Sequence, residues 1–146
     1  MTTVPDGAAG APQGGCDVTG CPMLVVADVA GSASWYVEIL GGENVHPGDE
    51  FAMIMHEASL VLLLHHREFE EHPALSAPNG GAPGVGVLLY FWVDDLDAAY
   101  ERARTIGAET LDEPHLNPNA GAREFSLRDP DGYGVTVASK RRDAEV

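Results

Sequence analysis

Two stretches of the chain, "VVADVAGSASWYVEILGG" (residues 25–42) and "FWVDDLDAAYERARTIGA" (residues 91–108), follow one plan. Each is an apolar strand, an Asp, a helix, a branched apolar residue, a Gly and a small residue. Placing Asp28 on Asp95 pairs Val29 with Leu96. A shift of one residue then pairs Leu40-Gly41-Gly42 with Ile106-Gly107-Ala108. Each copy runs on into further short strands, so the repeating unit is β-α-β-β-β. A 146-residue chain holds two such modules and little else. The repeat therefore predicts an α+β fold of two βαβββ modules.

The boundaries follow from composition. Residues 1–20 are rich in Gly, Ala and Pro, without apolar periodicity, and read as a flexible tail. The first module is expected over 21–75. "PMLVVAD" (22–28) is its first strand, Ser32 is the expected cap of a helix running to about Leu40, and Gly41-Gly42 stops it. "EFAMIMHEASLVLLLHH" (50–66) reads as two strands around a turn near 56–59. "SAPNGGAPGVG" (76–86) is an inter-module loop. The second module spans 87–139: a strand "VLLYFWVDD", a helix capped by Asp94 or Asp95 and ended by Gly107, a loop at 113–122, and a closing hairpin. Residues 140–146 form a charged tail.

That hairpin is "REFSLRDPDGYGVTVAS" (123–139). Phe125 and Leu127 share one face of its first strand, and Glu124, Ser126 and Arg128 share the other. Asp129-Pro130-Asp131-Gly132 is a strong turn: Asp starts it, Pro fixes φ and Gly accepts φ > 0. Val135 and Val137 then oppose Gly134, Thr136 and Ala138.

Composition excludes some partners. Net charge is −15, and the only basic cluster, Lys140-Arg141-Arg142, lies at the chain's end. A phosphate-backbone binder needs a basic face, so nucleic acid is not an expected partner. No apolar run approaches the length of a membrane span, and the N-terminus lacks the basic start and apolar core of a signal peptide. A cytoplasmic protein without membrane contact is expected. Cys16 and Cys21, the two cysteines, read as reduced thiols without a special role. "HHREFEEH" (65–72) holds His65, His66 and His72; adjacent His on a strand point opposite ways and do not share a metal on one face. His46 and His115 lie in expected loops.

With paired βαβββ modules, the "VxDl…Y…lGa" pattern, the helix "SASWYVEILGG" and the ending "REFSLRDPDGYGVTV", residues 21–139 resemble the vicinal oxygen chelate superfamily of glyoxalases, extradiol dioxygenases, fosfomycin-modifying transferases and bleomycin-resistance proteins. The "REF-x-L-x-DP-x-G" ending is especially close to the bleomycin-resistance branch. The resemblance implies eight strands curled into open cups. In the superfamily's enzymes, His, Glu or Gln ligands reach into the cup from the first and last strands of each module. The corresponding positions are Cys21, Leu63, Leu88 and Thr136, found seven residues before each Asp, by aligning "SLVLLL", and four residues after the turn Gly. Leucine offers no lone pair, threonine is a poor ligand without charged companions, and one thiolate does not make a site. No metal and no other cofactor is expected.

On the strand over 87–93, alternation places Leu88, Tyr90 and Trp92 together, and the resemblance turns that face to the cup. Val87, Leu89, Phe91 and Val93 suit packing under the helices. Met23 and Val25 from the first strand, and Val61, Leu63 and His65 from the fourth, are likewise expected to face inward, with Thr136 lining a wall. This aromatic and Met-bearing surface suits a planar ligand. The expected function is metal-independent sequestration of a planar, DNA-damaging antibiotic of bleomycin, mitomycin or enediyne type, conferring resistance without catalysis. The alternatives are a metal-dependent enzyme of the superfamily (glyoxalase, dioxygenase or thiol transferase) drawing on Cys21, His65 or Glu124, and a metal-free enzyme using His65 and a cup carboxylate as acid and base. The resemblance also implies a homodimer, which would cover open edge strands. The 76–86 loop is long enough to act as a hinge for module exchange.

Overall fold

The structure, a computed structural model, describes residues 19–67 and 84–140. The expected N-terminal tail up to residue 18, the 76–83 part of the inter-module loop, the tail beyond Lys140, and with them Cys16 and His72, lie outside the described residues. The chain divides into two compact units, one within Met1–Val37 and Gly41–Ser76, the other within Glu38–Leu40 and Ala77–Val146. No helix among the described residues is long and apolar enough to cross a membrane.

The first unit contains β1 (Met23–Val26), α1 (Val29–Leu40) except its last turn Glu38–Leu40, β2 (Glu43–Asn44), β3 (Phe51–His56) and β4 (Ser59–His66). Its sheet runs β1-β4-β3-β2, with β1 parallel to β4 and the other pairs antiparallel. Leu24, Leu64 and Ala52 share one row of this sheet, and Leu62 and Ile54 the next; all five are buried. Along α1 the buried residues are Val29, Ser32, Ala33, Tyr36, Ile39 and Leu40, the i, i+3, i+4, i+7 spacing of one helix face.

Asp28, not Ser32, caps α1. Its carboxylate accepts from the Gly31 amide at 3.0 Å, while Ser32 is buried inside the helix. Asp is as good a cap as Ser, and the earlier start brings Val29 onto the buried stripe. A Cβ on Gly31 would stand 2.4 Å from the Asp28 carboxylate, so a larger residue there would oblige that side chain to shift. At the other end Gly41 adopts φ 77°, the left-handed conformation that closes helices. Gly42 has a different reason: a Cβ there would meet the Met55 carbonyl at 2.3 Å.

The second unit contains β5 (Leu88–Val93), α2 (Leu96–Thr105), β6 (Glu109–Thr110), β7 (His115–Asn117), β8 (Ala122–Arg128) and β9 (Gly134–Ser139). The sheet runs β5-β9-β8-β6, β7 also pairs with β8, and β5 is parallel to β9. The first copy's plan recurs: strand, Asp cap (Asp95, accepting from Ala98 at 3.0 Å), helix, then further strands of which the last returns beside the first. α2 packs on β8 and β9 through Leu96, Ala99 and Ala103, over the buried rows Leu89–Val135–Leu127 and Val137–Phe125.

Three expectations change. Part of the loop expected at 113–122 is a strand: β7 forms a hairpin with β8, closed by Ala120 and Gly121 amides donating to the Asn117 carbonyl. The described residues therefore form nine strands, not eight. Of the expected helix-side set only Leu89 is fully buried; Phe91 and Val93 are half-buried and Val87, just before β5, is exposed, and among the described residues β5 pairs with β9 alone. The expected closing turn is present. Buried Asp129 accepts from the amides of Asp131 at 2.8 Å and Tyr133 at 2.9 Å, and Gly132 takes φ 92°.

Candidate functional site

Each sheet has one face whose side chains are not the buried alternates just described. In the first sheet this face carries Met23–Leu63–Met53 in one row and Val25–His65–Phe51 in the next. Met23, Val25, Val61, Leu63, Phe51 and Met53 are half-buried. Phe51 and Met53, whose facing alternation alone leaves open, are thus placed beside the expected set. Val61 sits where the β3–β4 register slips by one residue, a bulge. His65 is 5% exposed, so it is a wall residue and not a solvated loop histidine. Its Nδ1 lies 2.9 Å from the His66 carbonyl and donates to it, which fixes the tautomer. Phe51 meets His65 edge-on at 6.1 Å and His46 edge-on at 5.2 Å.

In the second sheet the rows are Leu88–Gly134–Arg128, Tyr90–Thr136–Ser126 and Trp92–Ala138–Glu124. Trp92 is 59% exposed and Leu88 56%. The Tyr90 and Trp92 rings lie 4.8 Å apart at 56°. Thr136 is 3% exposed, and its hydroxyl is 2.8 Å from that of Ser126. A ligand on this face would meet the two aromatic rings and Leu88 before it met Thr136.

Glu124 belongs to this face and to its chemistry. Tyr90 donates its hydroxyl to one carboxylate oxygen, and Asn117 Nδ2 donates to the other at 2.8 Å. Alternation places Glu124 beside Ser126 and Arg128 but not beside Tyr90. That contact joins residues 34 apart and exists because β9 inserts between β5 and β8. Asn117 was hidden in the expected loop.

The Glu124 contact acts on Tyr90. Burial first, then the hydrogen bond and charge of Glu124, push the Tyr90 phenol up from 10.0 to about 12. A raised folded-state value means stabilisation that is complete below pH ~10 and is lost as pH rises through ~12. Tyr90→Phe is therefore expected to lose less stability than the parent chain between those two pH values. Urea unfolding at several alkaline pH values checks this, and identical pH slopes in the two proteins would show that the bond does not hold.

The four positions that the resemblance assigns to metal ligands carry side chains that do not suit a metal. Leu63 and Leu88 have no donor atom, and the Thr136 hydroxyl is engaged by Ser126. Cys21 lies before β1 and is half-buried. Its thiol donates to the Pro22 carbonyl at 3.5 Å, and burial pushes it up, partly opposed by the Leu63 backbone. Among the described residues no three His, Cys, Asp or Glu side chains gather as a metal would require.

Comparison with known proteins places this geometry. A family model, the Glyoxalase/Bleomycin resistance protein/Dioxygenase superfamily, matches residues 19–137. No curated protein matches the chain. Among solved structures, a protein of the V. Pseudocholerae mobile metagenome is 26% identical, with TM-score 0.64 over 84% of this chain and 93% of that one. TioX from Micromonospora sp. ML1 is 17% identical, with TM-score 0.65 over 83% and 97% of the two chains. Lactoylglutathione lyase from Agrobacterium tumefaciens is 21% identical, with TM-score 0.63 over 86% and 96%. The last two likenesses are of fold alone.

Proposed function

The chain belongs to the glyoxalase/bleomycin resistance protein/dioxygenase superfamily, and from that premise we propose that it is a drug-binding member akin to the bleomycin-resistance branch. It acts as a cytoplasmic homodimer that holds a planar, DNA-damaging antibiotic without converting it. The observation that carries this reading is the adjacent Tyr90 and Trp92 pair on the open face of β5, with Trp92 mostly exposed. A large aromatic ring left in solvent beside a second ring is a ready stacking surface. On the first sheet, Met23, Met53 and Phe51 supply an adaptable apolar wall of the kind bulky ligands use.

The donor set supports binding over metal chemistry, since Leu63 and Leu88 stand where an enzyme of this superfamily needs ligands. The energetics suffice. Burying ~300 Å² of apolar ligand surface at ~25 cal/mol/Å² contributes about 7 kcal/mol before association costs. The chain's −15 charge favours cationic drugs over anionic ones.

Calorimetric titration of chelator-treated protein with Zn, Mn, Ni and Fe(II) salts tests the reading. The expected result is no stoichiometric heat with any of them. Tight one-to-one binding would overturn the reading of Leu63, Leu88 and Thr136 in favour of a metal-dependent enzyme. A tryptophan-fluorescence screen with bleomycin, a mitomycin and an enediyne then identifies the ligand type.

A further inference from the structure

The most informative feature of the second sheet beyond its aromatic pair is the electrostatic state of Glu124. The side chain is half-buried. Its two oxygens accept from Tyr90 and Asn117, both neutral donors. No cationic side chain engages it among the described residues, although three potential cations lie close in sequence or register. Arg123 turns to Asp97 at 3.4 Å. Arg128 donates to the Gly132 carbonyl at 3.3 Å. His115, opposite Glu124 in the β7–β8 register, bonds the Glu113 carbonyl at 2.9 Å and lies 3.7 Å from Asp112. Each carboxylate oxygen has two lone-pair sites, and one on each remains to accept from elsewhere.

The position matters as much as the charge. Glu124 shares a row with Trp92, separated only by the methyl of Ala138. Two strand spacings put the backbones of Trp92 and Glu124 roughly 10 Å apart, about the length of a three-ring aromatic system. Tyr90 links the two ends, its ring against Trp92 and its hydroxyl on the carboxylate. The face thus combines an aromatic platform with a carboxylate fixed at its edge. Aromatic faces attract cations, and a carboxylate makes its strongest hydrogen bonds to charged donors.

We propose that Glu124 is the recognition point for a positively charged nitrogen on the bound planar molecule, so that the site takes cationic aromatics, ring system on Trp92 and Tyr90 and ammonium or amidinium group on Glu124. The assignment rests on the stacking reading of the preceding subsection and adds the ligand's charge and where it is read.

Two tricyclic probes of similar size separate the parts: proflavine, a planar cation, and acridone, which is neutral. Equilibrium dialysis of the full chain is expected to show proflavine bound at least about tenfold more tightly than acridone. Glu124→Gln is expected to abolish that preference, bringing the two affinities to within about twofold of each other. Glu101→Gln removes the same charge from the exposed surface of α2 and is expected to keep the preference. The wild-type comparison stands even if a Glu124 variant does not fold. Equal affinity for the two probes in the parent chain overturns the proposal. So does an equal loss in Glu124→Gln and Glu101→Gln, which would assign the preference to net charge. If Trp92→Ala loses both probes while Glu124→Gln changes nothing, stacking stands and the Glu124 assignment fails. If Trp92→Ala binds both probes as the parent does, or the parent binds neither, stacking itself fails.

Discussion

Replacing Phe125 by alanine is expected to lower the unfolding free energy by about 3–5 kcal/mol, the loss typical of a large ring removed from a packed interior. Phe125 has no exposed surface. Its Cα partner across β8–β9 is Val137, whose own neighbour on β5 is Phe91, and the Tyr100 ring of α2 lies edge-on at 5.1 Å. Strands fix two sides of the vacated space and a helix a third, so little of it can collapse. Trp92→Ala removes a still larger ring, but one 59% exposed, and is expected to cost less than about 1 kcal/mol in the same urea titration. The contrast is the test. If Trp92→Ala is the more destabilising change, the two faces of the second sheet have been assigned the wrong way round.

That assignment was legible in the sequence because a strand's two faces are written in its alternation. "REFSLR" separates Phe125 and Leu127 from Glu124 and Ser126, and "LLYFWV" separates Leu89 from Leu88, Tyr90 and Trp92. The structure keeps both partitions. The duplicated plan was legible for a similar reason, since Asp caps and Gly stops mark helix ends locally. What alternation does not encode is which strands become neighbours. The Tyr90–Glu124 bond needs β9 between β5 and β8, and the placing of Phe51 beside His65 needs the β3–β4 register. β7 is not legible in the sequence because Pro114 and Pro118 flank a three-residue strand, too short for its own periodicity to outweigh loop composition. Asp28 is as good a cap residue as Ser32. The apolar stripe decided, because only a start at Val29 puts that residue on the buried side with Ala33 and Tyr36.

For the antibiotic that the fluorescence screen identifies, Trp92→Ala is expected to raise the dissociation constant between about tenfold and a hundredfold. Stacking on an aromatic ring contributes ~1 kcal/mol beyond area burial. Covering roughly 60 Å² of the indole adds about 1.5 kcal/mol at ~25 cal/mol/Å². Each 1.4 kcal/mol is about a factor of ten in affinity, so the two effects together fall inside that range. Trp92→Phe keeps a ring on the same open face and is expected to retain affinity within about fivefold. Because Trp92 is exposed, neither change should unfold the chain, and a lost affinity reports on the face and not on the core. Calorimetry suits the measurement, since Trp92→Ala also removes one of the chain's two tryptophan signals. Tyr90 should not compensate, for its hydroxyl is held by Glu124 and its ring packs against the Trp92 position at a tilt instead of replacing it. An unchanged dissociation constant in Trp92→Ala would remove β5 from the binding surface and leave the Met23, Phe51 and Met53 wall of the first sheet as the place to look.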